Sequence, residues 1–356
     1  MSVRTATRLV TAAALVAAAV TLAACSGASA PSGSASGGSA ASVDHGDLTL
    51  QLSWILNEEF AGEYFADTNG YFTDAGFSTV NLVPGPSSGV SEVISGAADV
   101  SIGDAVGVGA AIANEGAPLK IIGTTFQRNP LTILSLTDGA DIATPEDMIG
   151  KRIGVQDANT SSFQALLAAN DIDASELEIV PVQYDASPVV NGEVDGMVAF
   201  VTNQSVIIES QGVEVTDLLF ADNGLPFVAE SFVTTDDAIT NDRERLKAFL
   251  VAEIRGWTDA VNDPAEGARL AVEQYGVDLG LDLDTAVAGA VAQAELLVVS
   301  DETEENGLLT ISDALQSETI GSLARSGIAL EAGDLFDMTL LAEVYAENPD
   351  LIAYAG

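Results

Sequence analysis

Ser95-Gly96-Ala97-Ala98-Asp99-Val100-Ser101-Ile102-Gly103-Asp104 reads as a turn, a short buried strand and the start of a helix. Ser95-Gly96 reverses the chain. Val100 and Ile102 place β-branched residues in a run too short to be a helix. Gly103-Asp104 ends that run on a good N-cap residue. The small and apolar residues of 105–113 then continue at helical length. A strand feeding straight into a helix is the repeating unit of a parallel sheet covered by helices.

The same grammar extends on both sides. Upstream, residues 48–54 alternate like a strand, and 61–68 read as a helix closed by Asn69-Gly70. Residues 79–83 form a strand stopped by Pro84-Gly85-Pro86, followed by a helix over 87–95. Downstream, 119–125 is another strand. A second set begins at Leu131, with strands at 132–136, 152–156, 178–182 and 197–201 and helices at 161–169 and 187–191. Thr144-Pro145-Glu146-Asp147 has the N-cap, the Pro and the acid of a helix start. Residues 230–234 add one more strand. From Asn241 the pattern turns helical, and Asn241 with Glu244 and Asp263-Pro264 with Glu266 read as capping-box starts.

The N-terminus has a different character. Arg4 and Arg8 precede an apolar stretch, 9–24, broken only by Thr11 and Thr21. It ends in Leu22-Ala23-Ala24-Cys25, which holds the chain's 1 cysteine. This is the layout of a secretory signal, and the run is shorter than the about 20 residues of a membrane-spanning helix. A cysteine after Leu-Ala-Ala resembles a bacterial lipobox, which implies cleavage before Cys25 and lipid on that residue. Residues 26–42 contain only Ser, Gly, Ala and Pro, the composition of a flexible tether. The expected location is extracytoplasmic, on a lipid anchor.

Charge narrows the function. The chain of 356 residues has 53 Asp and Glu against 12 Lys and Arg, a formal net charge of −41. That excludes nucleic acid as a partner, since phosphate binding needs clustered Lys and Arg. An anionic bilayer surface would repel the domain. The acidity reads as a solvated surface that aids solubility, as adaptation to salt, or as selection for a cationic ligand. With Cys25 assigned to lipid, no thiol is left for a disulfide, a zinc site or a nucleophile. His45 lies at the end of the tether, away from any buried triad or multi-histidine metal site. Gly103, Gly107 and Gly109 match neither a dinucleotide fingerprint nor a P-loop. No cofactor and no metal are expected.

Four stretches carry a family resemblance. They are Trp54-Ile-Leu-Asn57-Glu-Glu-Phe60-Ala-Gly62-Glu-Tyr64-Phe-Ala66 with Gly70-Tyr-Phe72 and Gly76; the 95–104 run; Asn129-Pro130-Leu-Thr-Ile-Leu with Gly150-Lys151-Arg152-Ile-Gly154-Val155; and Gly192-Glu-Val-Asp195-Gly196-Met-Val-Ala-Phe200-Val-Thr202-Asn203-Gln204. Together they resemble the solute-binding proteins of ABC importers, in the branch holding nitrate, sulfonate, taurine and thiamine-pyrimidine-precursor binders. The resemblance covers 48–235, with a looser fit over the helical tail. It implies an α/β, periplasmic-binding-protein-like (type II) fold of two lobes. Each lobe would be a mostly parallel sheet flanked by helices, with a helical C-terminal part. The expected division is a signal peptide at 1–24, a lipidated tether at 25–43, lobe 1 at 44–129 plus 227–356, and lobe 2 at 130–226. Crossovers fall near 128–131 and 225–229. The implied partners are a small-molecule ligand and the membrane subunits of an ABC permease, with the binding protein a monomer.

Candidate ligand contacts follow from strand ends facing a cleft. Trp54 ends the first strand and offers a stacking face or a core ring. Asn57 offers an amide to ligand edges or a local turn bond. Phe60 stands where the pyrimidine-precursor binders often show His. Asp104 caps a helix or faces a ligand amine. Gln127 and Asn129 flank the first crossover. Asn159 and Thr160, after 152–156, suit self-capping or a helix N-terminal anion site. Thr202 and Asn203 follow 197–201 in the same geometry, and Asn203 is the leading polar candidate. The ligand expected is a thiamine-pyrimidine precursor or a riboflavin-like heteroaromatic, with nitrate, sulfonates and taurine as alternatives. A related eukaryotic branch makes the thiamine pyrimidine with a histidine and a cysteine-rich motif. Neither lies in the mature fold, so a binding protein is expected rather than an enzyme. A sensor lipoprotein on the same fold is a further alternative.

Overall fold

The structure, a computed structural model, describes residues 43–354. The signal segment, Cys25 and the tether to residue 42 lie outside the described residues. Among the described residues no helix is long and apolar enough to cross a membrane.

Two five-stranded sheets organise the chain. The first contains β1 (Gly46–Gln51), β2 (Phe77–Val83), β3 (Val100–Gly103), β4 (Leu119–Phe126) and β10 (Ala229–Thr235), ordered β2-β1-β3-β10-β4. The second contains β5 (Leu131–Leu136), β6 (Arg152–Val155), β7 (Glu178–Pro181), β8 (Gly196–Phe200) and β9 (Val215–Leu219), ordered β7-β6-β8-β5-β9.

Both sheets are mixed, which refines the expected mostly parallel arrangement. β1 runs parallel to β2 and β3, and β6 to β7 and β8. β10 runs antiparallel to β3 and β4, and β5 to β8 and β9. The cause is the passage between sheets. Residues 127–130 join β4 to β5 without a helix to return the chain, so β5 enters its sheet against its βα strands.

The opening stretch folds as read. Asp104 caps the helix Ala105–Glu115, its Oδ1 accepting from the Val106 and Gly107 amides at 2.8 and 2.9 Å. The tail differs at its start. Asn241 ends a short helix, Asp236–Asn241, whose cap is Thr235, and the long helix begins at Arg243. The expected start at Asn241 is thus one short helix late. Farther on, Asp263 does accept from the Glu266 amide at 3.1 Å and opens Pro264–Leu270.

The tail covers the edge strand β4, where the Thr124 amide donates to the Leu309 carbonyl at 3.0 Å and the Asp337 amide to that of Ile121 at 2.9 Å. Covering an edge in this way leaves less unpaired backbone to aggregate through. Behind the sheet, helix Ala61–Thr68 crosses helix Arg243–Asn262. Gly62 and Gly256 permit the close approach: a Cβ on Gly256 would collide with the Gly62 carbonyl, and one on Gly62 with the Trp257 indole. Glu63 and Glu253 lie on these helices at 0% exposure, and none of their carboxyl oxygens has a hydrogen-bond partner. Burial pushes Glu63 up to about 8. Burial and the nearby Glu63 hold Glu253 well above the usual carboxylate range.

Candidate functional site

Between the two sheets lies a cavity of about 450 Å³, within the roughly 300–1,000 Å³ of small-molecule sites. The carboxyl ends of the parallel strands open onto it. Trp54 follows β1, Ser87 follows β2 and Asp104 follows β3. From the second sheet Gln156 follows β6, Tyr184 follows β7 and Asn203 follows β8. Ligands settle at such ends because the loops and helix starts there carry polar groups not used by the sheet ladder. The connecting segments add Asn129 and Phe227, and the start of β10 adds Glu230.

One wall is aromatic. The Trp54 and Tyr184 rings, one from each sheet's loops, meet with centroids 3.7 Å apart at 56°. The opposite character is found around Asn57, Glu59 and Glu230. Asn57 is 3% exposed and its Oδ1 has no partner. Glu59 is 7% exposed and its Oε1 has none either. The Ser53 hydroxyl donates to Glu230 Oε2 at 2.6 Å. Glu230 itself has φ +46°, a left-handed conformation uncommon outside glycine. Burial, then repulsion from Glu230 and the hydrogen bond between the two carboxyls, push Glu59 well above its ordinary value. Burial pushes Glu230 up to about 7, against the hydrogen bonds from Ser53 and Glu59.

The sheets also touch beside the cavity. Asn203 Nδ2 donates to Glu58 Oε1 at 3.1 Å. Burial raises Glu58 to about 7, and the Asn203 bond works against that rise.

A family model described as NMT1/THI5 like matches residues 57–267, more than half of the chain. The chain belongs to the NMT1/THI5-like family. A curated relative, the riboflavin-binding protein RibY of Chloroflexus aurantiacus, is 27% identical over 243 residues, or 64% of this chain. The match spans 66% of that relative, just under two thirds of its length. Among solved structures, the periplasmic aliphatic sulphonate binding protein SsuA from Escherichia coli superposes with a TM-score of 0.62 at 12% identity, over 87% of this chain and 94% of that one. The periplasmic nitrate-binding protein NrtA from Synechocystis PCC 6803 gives 0.62 at 12% identity, over 86% and 91%. At such identities the likeness is one of fold, and the fold is that of periplasmic binding proteins.

Within this NMT1/THI5-like fold, six of the residues singled out from the sequence border the cavity: Trp54, Asn57, Asp104, Asn129, Asn159 and Asn203. Besides Asp104 on its helix cap and Asn203 on Glu58, two more of these have partners within the protein. Asn129 accepts from the Leu131 amide at 3.0 Å and donates to the Leu225 carbonyl at 3.2 Å, which ties the two connections between the sheets together. Asn159 donates to Gln156 Oε1 at 3.0 Å.

The other four lie elsewhere. Phe60 closes a 3₁₀ turn, Glu58–Phe60, that turns its ring into the core of the first sheet. Gln127 reaches away to the tail, donating to the Thr310 carbonyl at 2.9 Å. Thr160 turns back onto the Gln156 carbonyl at 3.4 Å. Thr202 is buried and borders a second cavity of about 470 Å³ on the far side of Asn203. Glu59, Tyr184 and Glu230 are cavity residues that sequence reasoning missed. Tyr184 had a usable signal, since it follows a strand of the second set.

Proposed function

We propose that this protein is the solute-binding component of an ABC importer. It would capture a small, flat organic nutrient between two lobes, 44–129 plus 227–356 and 130–226, and deliver it to a membrane permease. The observation that carries this is the cavity at the strand ends of both sheets, walled by Trp54 and Tyr184. Aromatic side chains prefer offset or tilted partners, and the touching Trp54–Tyr184 pair offers a face for a further ring beside it. A heteroaromatic of the riboflavin or thiamine-pyrimidine-precursor kind suits that wall. The name of the curated relative favours the flavin. The sulfonate and nitrate reading draws only on fold neighbours. A binding role rather than an enzymatic one rests on relatives that are themselves binding proteins. Closure is hinge motion biased by ligand, and the protein works as a monomer.

The test is a thermal-shift screen of the full chain against riboflavin, 4-aminopyrimidines, alkanesulfonates, taurine and nitrate. A ligand at 100 times its Kd adds about 2.7 kcal/mol of stability, a plain upward shift of the melting midpoint. The expected hit is a heteroaromatic. Shifts from sulfonates or nitrate alone contradict the reading.

Cys25 is proposed as the lipid attachment point that keeps the protein outside the cell at its membrane. Cys25→Ser is expected to abolish fatty-acid labelling and release the protein. Label retained in that variant contradicts the anchor.

A further inference from the structure

Among the described residues that border the cavity there is no Lys, Arg or His, whereas Glu59, Asp104, Asp157 and Glu230 all reach it. An anionic solute entering here finds carboxylates and no countercharge. Two acceptors more than nine-tenths buried, Asn57 Oδ1 and Glu59 Oε1, have no partner. Buried acceptors left unpaired are costly, so a filled site would supply donors. Glu230 keeps its carboxyl beside Glu59 while its own backbone holds a disfavoured φ of +46°. Such strain collects where function requires a side chain in one place.

We propose that Glu59, Glu230 and Asn57 form an acceptor pole that takes a cationic nitrogen of the solute: a protonated amine, an amidine or an amino-substituted heteroaromatic edge. This rests on the reading of the cavity as the solute site. The aromatic wall fits the same chemistry, because a ring face attracts a cation. Among the described residues no three His, Cys, Asp or Glu side chains group as a metal site, so the pole is one for an organic cation.

A pH dependence follows. The pair faces Glu58 and Glu63 from the turn of Glu59 and the helix that follows it, and Asp104 from the head of helix Ala105–Glu115. Ser53 donates to Glu230, and the Gln293 amide donates to the backbone carbonyls of Glu58 and Glu59 at 3.5 and 3.3 Å. Asp157 and Tyr184 border the cavity from the second sheet. All the titratable groups among these are acids. Burial and their repulsion keep a proton on the pair when the site is empty. A cation favours the ionised pair, so binding releases a proton and tightens as pH rises through about 7.

Benzamidinium and benzenesulfonate carry opposite charges on the same ring, and both are to be titrated calorimetrically into the full chain at pH 6 and pH 8. Benzamidinium is expected to bind, more tightly at pH 8, with proton release seen as a buffer-dependent heat. Benzenesulfonate is expected not to bind. Glu59→Gln with Glu230→Gln should weaken benzamidinium by roughly 10- to 150-fold. Glu230→Gly relieves the backbone strain while removing the carboxyl, so it should stay folded and still lose affinity. No binding of benzamidinium, tighter binding of benzenesulfonate, or unchanged affinity in the Gln variants overturns the pole. Trp54→Ala separates the two failures. If it and the Gln variants all leave benzamidinium binding intact, the probe sits outside the cavity and the solute-site reading fails. If it abolishes binding that the Gln variants retain, the pole alone fails.

Discussion

Trp54→Ala is expected to weaken solute binding by roughly 30- to 1,000-fold with an unchanged far-ultraviolet circular dichroism spectrum. Trp54 lies just beyond β1, so its side chain is outside the strand pairing of the sheet. Its ring is half-buried and meets Tyr184, which comes from the other sheet. Removing it takes away a stacking face and opens the cavity to water at the same point. Aromatic anchors of this kind hold a large share of binding energy when they are enclosed. The measurement is calorimetric titration of the variant with whichever solute the screen identifies. Affinity equal to the parent's would mean that Trp54 only fills space.

Stability is expected to fall as pH rises from about 4.5 to about 8, the reverse of ordinary acid denaturation. The cause is Glu63, whose carboxyl is buried without a partner beside Glu253. In the unfolded chain it ionises near 4.5, whereas in the fold it keeps its proton to about 8. Between those values the unfolded state binds fewer protons, so each pH unit favours unfolding by about 1.36 kcal/mol per carboxyl. Across the window this is roughly 4–5 kcal/mol from Glu63. Glu253, Glu59, Glu58 and Glu230 are raised as well and act in the same direction. The net charge of −41 adds self-repulsion at the high end. Asp195 and Glu343, held below their usual range by hydrogen bonds from Arg152 and Arg243, lose their contribution only under more acid conditions.

Urea midpoints at pH 5 and pH 8 measure this effect. The parent should unfold at lower urea at pH 8. Glu63→Leu with Glu253→Leu should reduce the difference and raise the midpoint at pH 8, since buried uncompensated carboxyls give way to apolar packing. A parent that is more stable at pH 8 contradicts the account.

How far the sequence carries is uneven, for physical reasons. The βα grammar around Asp104 is legible because a strand, a cap and a helix each leave a local mark. Strand ends then point to Trp54, Asn159 and Asn203, all of which border the cavity. What is local to a turn is harder. Asn57, Glu59 and Phe60 lie within four positions, yet the first two face the cavity and the third enters the core. Only the 3₁₀ geometry of Glu58–Phe60 decides this. Gln127 and Asn129 differ likewise through a long-range partner, the Thr310 carbonyl in the tail.

Glu59 and Glu230 were hidden for another reason. In a chain with 53 acids, two more carboxylates carry no contrast. Burial, missing partners and the +46° backbone of Glu230 distinguish them, and each of these is a property of the fold. Glu63 and Glu253 escape notice in the same way, since acids on helices normally mark the solvated face.

The central claim, that solute lies against Trp54 between the two sheets, is open to one direct measurement. Trp257 is 2% exposed in the core, which makes its emission a constant background. Tryptophan fluorescence of the full chain is to be titrated with the non-fluorescent 4-aminopyrimidine that performs best in the screen. The account predicts a saturable change whose midpoint matches the calorimetric Kd and which vanishes in Trp54→Phe. Calorimetric binding with no change in emission would contradict it.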